Sequence, residues 1–174
     1  EDDGATVLTR AGRTMRRIYG ERDLLVAESL RQGLWEGLDA PSLAALACCL
    51  VYEPRRDEAG PGERGLPRGA FRGALDATQT LWQELDDLER DHRLPGSESP
   101  ASGLAPAMHA WAKGLPLDSV LTLADMAAGD FVRWAKQTID LLDQISLVAE
   151  PPLAKTARTA LDSVRRGIVA YTSA

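Results

Sequence analysis

The segment AGDFVRWAKQTIDLLDQI, residues 128–145, narrows most sharply what this chain can fold into. At about 100° per residue, its six polar side chains fall within an arc of roughly 120°. They are Arg133, Lys136, Gln137, Asp140, Asp143 and Gln144. Phe131, Trp134, Ala135, Thr138, Ile139, Leu141, Leu142 and Ile145 fill the rest of the circle. A helix at the rim of a bundle would divide about evenly between wet and dry. This one reads as a long, largely buried central helix whose single polar stripe faces something wet or charged.

The remaining segments carry the same period. TVLTRAGRTMRRIYG has Leu8, Ala11, Met15 and Ile18 on one face and Arg10, Arg13 and Arg17 on another, with Gly20 as a stop. ERDLLVAESLRQGLWEGL repeats the pattern with Leu24, Leu25, Ala27, Leu30 and Leu34. PSLAALACCLVYE is apolar almost all round, so it is expected in the interior. FRGALDATQTLWQELDDLERDHRL gives a long amphipathic helix with an acidic outer face. AMHAWAKG stops at Gly114-Leu115-Pro116, LDSVLTLAD is short, and Pro151-Pro152 opens the last helix. Residues 54–69 and 95–106 are rich in Pro, Gly and polar residues and read as exposed loops. No segment alternates with period two. The expectation is an all-α bundle of seven or eight helices over residues 6–174, after a flexible acidic end at 1–5.

At 174 residues the chain is of single-domain size. No apolar run is long enough to span a membrane and no secretory leader is visible, so a cytoplasmic location is expected. Cys48 and Cys49 are neighbours in an apolar run and read as free core thiols. The net charge of −6 argues against strong nucleic-acid binding by this chain alone; a local patch, or another domain, would have to supply the cations.

The common catalytic signatures are missing. There is no GxxxxGK[ST], no HExxH and no CxxC, and neither His92 nor His109 has a second ligand at metal spacing. No metal and no catalytic residue is expected. Three features stand out instead: the stripe on 133–144, the face with Arg10, Arg13 and Arg17, and the basic residues of the last helix, including Arg165 and Arg166. For each, an ordinary solvated or salt-bridged surface is the competing reading.

Three elements occur in order: WAKG at 111–114, AGDFVRWAKQTIDLLDQI at 128–145 and VRRGIVAYTS at 164–173. Together they resemble the DSHCT domain, the C-terminal helical domain of superkiller-type DExH-box RNA helicases. Trp111, Gly114, Gly129, Arg133, Leu141, Leu142, Gln144, Arg165, Arg166 and Ile168 match that family's pattern. The N-terminal half looks like its actinobacterial, HelY-type branch. The resemblance implies an accessory domain without catalysis of its own, in a parent enzyme that uses ATP and Mg. It would sit beside RecA-like and winged-helix domains of the same parent chain and guide single-stranded RNA, or DNA, through the channel. Residues 128–145 match the family's ratchet helix. The resemblance implies the stripe as the strand-facing side, so Arg133, Lys136, Gln137, Asp140 and Trp134 are the expected nucleic-acid contacts; Arg10, Arg13, Arg17, Arg165 and Arg166 are read from the residues as candidate further basic patches.

The match has departures. Ala128 stands where the family has an acid, Gln137 replaces one of a basic pair, and Asp143 replaces a basic residue. The stripe is therefore less positive, and its grip on a strand is expected to be weaker or more steric. A helical protein-interaction module is the alternative, favoured by the net negative charge.

Overall fold

The structure is a computed structural model that describes residues 21–54, 65–91 and 99–171. The segment carrying Arg10, Arg13 and Arg17, and His92, lie outside the described residues. Eight helices and no strand occur among the described residues. They are α1 (Glu21–Arg31), α2 (Ala40–Val51), α3 (Ala70–Asp91), α4 (Ala105–Ala112), α5 (Leu117–Ala124), α6 (Ala128–Val148), α7 (Pro151–Val164) and α8 (Gly167–Tyr171). No helix among the described residues is long and apolar enough to cross a membrane.

The all-helical reading holds, but the centre lies elsewhere than expected. In α2, nine of twelve residues are buried. It packs against α3, α4, α6 and α7. Nothing charged interrupts its sequence, so it can be enclosed on every side. In α6, nine of 21 residues are buried, and its polar stripe stays open. It lies against α2 with one flank and α7 with the other. The two-residue link Ala149-Glu150 makes α6 and α7 antiparallel neighbours.

The caps explain where the helices start and stop. Asp39 caps α2, its carboxylate accepting the Ser42 backbone N–H at 2.9 Å. Its hydrogen bonds with Ser42 hold the Asp39 carboxyl below its ordinary value. At the end of α4, Gly114 takes φ +98°, which favours glycine. The Leu115 N–H reaches Ala110 O at 3.1 Å and the Gly114 N–H reaches Trp111 O at 3.0 Å, the paired bonds of a Schellman stop. Pro151 and Pro152 open α7, where their missing N–H groups cost nothing.

The core uses its few polar atoms as pins. The buried Trp35 indole donates to Thr78 Oγ1 at 2.8 Å, and Thr78 donates on to Ala74 O at 2.7 Å, tying the 32–38 turn to α3. The Ala101 N–H reaches Cys49 O at 2.9 Å and holds the segment before α4 against α2. Cys48 and Cys49 are free and buried, and burial pushes the Cys48 thiol up to about 12 and Cys49 up as well.

Candidate nucleic-acid interface

The exposed face of α6 is organised by what its opposite face buries. Phe131, Trp134, Ala135, Thr138, Ile139, Leu142 and Ile145 turn inward, which leaves 133, 136, 137, 140 and 144 as one strip. Arg133, Asp140 and Gln144 are exposed, and Lys136 and Gln137 are half-buried. Among the described residues neither Arg133 nor Lys136 forms an ion pair. These two cations, one turn apart, are free to meet an anion.

Trp134 is placed differently. The residue is 7% exposed. It meets the Tyr52 ring edge to face at 5.2 Å, and the Arg133 guanidinium lies 4.8 Å over it. The indole therefore packs the α2–α6 contact and fixes the direction of Arg133; the burial leaves little of its face for a base.

Asp143 also leaves the free strip. Arg158 of α7 approaches it at 3.5 Å and donates to Ser146 Oγ at 3.0 Å. One of the stripe's two carboxylates is thus partly neutralised by α7, a pairing no spacing rule on one helix could reveal.

Of the C-terminal basic residues, Arg165 is exposed and Arg166 is not. The Arg166 guanidinium lies 3.6 Å from the centroid of the Trp111 ring. Its Nε and Nη2 donate to Trp111 O at 3.1 and 2.7 Å, and Nη2 also reaches Leu115 O at 2.7 Å. Trp111 in turn donates from its indole N–H to Val164 O at 2.8 Å and meets Phe131 edge to face at 5.7 Å. Gly167, at φ +53°, keeps the backbone close to Trp111: a Cβ there would stand 3.4 Å from the indole. Arg166 is therefore a clamp between the α4 stop and the α7–α8 elbow. These inward bonds give Arg166 a structural role, beside the expectation that it belongs to a basic patch.

His109 is half-buried, and desolvation lowers its imidazole pKa, with Lys113 adding to the effect. No group of three His, Cys, Asp or Glu residues able to hold a metal occurs among the described residues.

Sequence reasoning missed one feature of this face. Leu147 falls within the polar arc of α6, yet it is apolar and 72% exposed, and Val148 beside it is 68% exposed. The signal was an apolar residue in a wet arc. The strip thus runs from cationic at Arg133 to apolar at Leu147.

Comparisons with known proteins show the family. The DSHCT (NUC185) domain family matches residues 5–172. The chain is 43% identical over 173 residues to "Probable helicase HelY" of Mycobacterium leprae, covering 94% of this chain and 19% of that protein. It is 41% identical over 178 residues to the protein of the same name in Mycobacterium tuberculosis, covering 94% and 19%. It is 25% identical over 177 residues to "DExH-box ATP-dependent RNA helicase DExH10" of Arabidopsis thaliana, covering 96% and 17%. The chain thus spans about a fifth of the mycobacterial relatives it matches.

Proposed function

The chain belongs to the DSHCT domain family, and on that premise we propose that it is the accessory helical domain of an ATP-dependent DExH-box helicase, contacting a single strand through the open face of α6. The observation that carries this reading is the pair of cations Arg133 and Lys136, without ion partners among the described residues, beside Gln137 on the open face of a helix whose opposite face is buried. Arg133 and Lys136 would meet phosphates, and Gln137 and Asp140 would meet sugar or base edges. Such contacts position a strand without reading its sequence. Trp134 holds Arg133 in place from below.

Gly129 supports the same face. It sits exposed in the first turn of α6, and a Cβ there would meet nothing within 4 Å. A helical glycine costs up to about 1 kcal/mol relative to alanine. Nothing among the described residues requires it, so we read it as clearance for a backbone passing one turn from Arg133.

The net charge of −6 limits the domain to a guiding role, with other domains of the parent supplying most of the affinity. ATP and Mg would be handled there, by residues this chain does not contain. RNA is the favoured strand because the plant relative carries that description.

The test is Arg133→Ala in the full-length enzyme. Unwinding should fall more than resting ATPase, and Arg133→Ala with Lys136→Ala should reduce the salt dependence of single-strand binding by about 1.4 in log–log slope, from about 0.7 per phosphate. Unchanged unwinding and slope would remove α6 from the strand path. An interaction module, which the acidic charge favours, predicts instead that these variants leave both untouched and that a protein partner is lost.

A further inference from the structure

The seam between α6 and α7 carries charge that the strip on α6 alone does not explain. Lys136 and Asp143 stand seven residues apart on α6, so two turns return them to one edge, about 20° apart. Arg158 and Arg165 are spaced the same way at α7, and the Arg165 N–H still reaches Leu161 O at 3.0 Å, which keeps it in helical register. Arg158 meets Asp143 and Ser146 across the seam. The two helices are antiparallel and each rises about 1.5 Å per residue. Seven residues on from Arg158 is therefore seven back from Asp143, and Arg165 comes opposite Lys136. The core sets the same register independently. Phe131 of α6 packs on Trp111, whose indole N–H is bonded to Val164 O, directly before Arg165.

The two ends of the seam differ in how their cations are answered. At one end the half-exposed Arg158 faces Asp143 at 3.5 Å and donates to Ser146 Oγ at 3.0 Å. Those contacts leave most of its N–H donors unused and hold the planar guanidinium in place. At the other end Lys136 and the exposed Arg165 come together, and among the described residues neither has an ion partner. The exposed Asp140 and Asp162 lie about 40–60° further round their helices, on the solvent side of these edges. Like charges brought together repel unless an anion joins them. Arg158 and Arg165 are about 10 Å apart along the axis, a span of about three nucleotides at the stacked rise of about 3.4 Å.

We propose that Arg158 and Arg165 contact phosphates of the single strand, so that its path continues from the open face of α6 onto the α6–α7 seam. The proposal rests on the reading of α6 as a strand contact. Asp143 then positions Arg158 for the strand and does not cancel it.

Salt titrations of oligouridylate binding by the full-length enzyme test it. Each phosphate contact on a single strand contributes about 0.7 to the log–log slope, so Arg158→Ala with Arg165→Ala should lower the slope by about 1.4, and Arg158→Ala alone by about 0.7. Arg158→Lys keeps the charge but not the planar fork that spans Asp143 and Ser146, and it should keep the parent slope. A slope loss in Arg158→Lys as large as in Arg158→Ala would mean that Arg158 serves only to join the helices, and would overturn the direct contact. So would an affinity loss of equal size at every salt concentration. Arg133→Ala with Lys136→Ala reads α6 separately. If that pair lowers the slope and the Arg158 and Arg165 pair does not, the seam is overturned and α6 stays on the strand path; if neither pair lowers it, the α6 reading fails and the seam with it.

Discussion

Replacing Arg166 by alanine separates a structural clamp from a binding patch. In the native fold the guanidinium makes three hydrogen bonds to two carbonyls and covers the Trp111 ring. A hydrogen bond to a charged group contributes about 1.5–3 kcal/mol, and a half-exposed cation–π contact about 0.5–1 kcal/mol. The loss is smaller than their sum. Trp111 O keeps the Gly114 N–H, and Leu115 O can turn to water. About 2 kcal/mol is therefore expected. For a chain of this length that lowers Tm by roughly 4–8 °C. Urea unfolding followed by circular dichroism should show the shift in midpoint with an unchanged m-value. Arg166→Lys retains the charge but not the planar fork, and should lose about half as much. Because the acceptors are neutral carbonyls, the loss should barely change with salt, unlike that of a surface ion pair. Arg165→Ala, at an exposed neighbour, should stay within about 0.5 kcal/mol of the parent. Should Arg166→Ala leave stability intact and weaken strand binding instead, the clamp reading fails and Arg166 returns to the surface.

Three further outcomes are expected. Gly129→Ala should stabilise the chain by about 0.5 kcal/mol, since a Cβ there meets nothing, yet slow unwinding by the full-length enzyme; equal or faster unwinding would refute the close approach of a strand. Asp39→Ala should cost about 1 kcal/mol at neutral pH through the lost cap. Because the folded carboxyl is depressed, its contribution is present above the unfolded carboxylate pKa of about 3.9 and is lost as pH falls through the folded value, so Tm profiles of variant and parent should converge in acid. Cys48 and Cys49 should resist thiol reagents at mildly alkaline pH in the native chain and react fully in denaturant, because burial raises both pKa values; rapid native labelling would mean that α2 opens.

The helices were legible because each carries its own apolar period and its own stop. α7 begins at Pro151 as its sequence directs, and α4 ends at Gly114 because that residue alone accepts the required φ cheaply. The buried face of α6 was legible from Phe131 to Ile145, with Val132 the one further residue that packing encloses. What lay beyond reach was every relation between helices. Nothing local distinguishes Arg165 from Arg166, yet one is solvated and the other is committed to carbonyls about fifty residues away in sequence. Likewise Asp143 reads as a weakening of the stripe until Arg158 arrives from α7. The choice of α2 over α6 as the innermost helix also follows from packing, since an all-apolar circumference can be enclosed and a striped one cannot.

The residues that carry the family resemblance divide into two groups by what they do inside the fold. Trp111, Gly114, Leu141, Leu142, Arg166 and Ile168 are each accounted for: a ring held by its N–H bond and by Arg166 over it, a left-handed stop, two core leucines, a clamp and an isoleucine packed against the core. Gly129, Arg133, Gln144 and Arg165 are exposed, and among the described residues they have no comparable internal role. Their chemistry is spent only if something outside the described chain meets them. Three of the four lie on α6, the first two one turn apart at its start. A purely structural bundle needs neither a helix-weakening glycine nor, one turn on, an arginine that has no ion partner among the described residues. Since removing either should cost little stability, any loss of activity on their replacement measures the external contact alone. Under the proposed strand contact, α6 rather than the clamp at Arg166 is therefore where a loss of activity can be separated from a loss of folding.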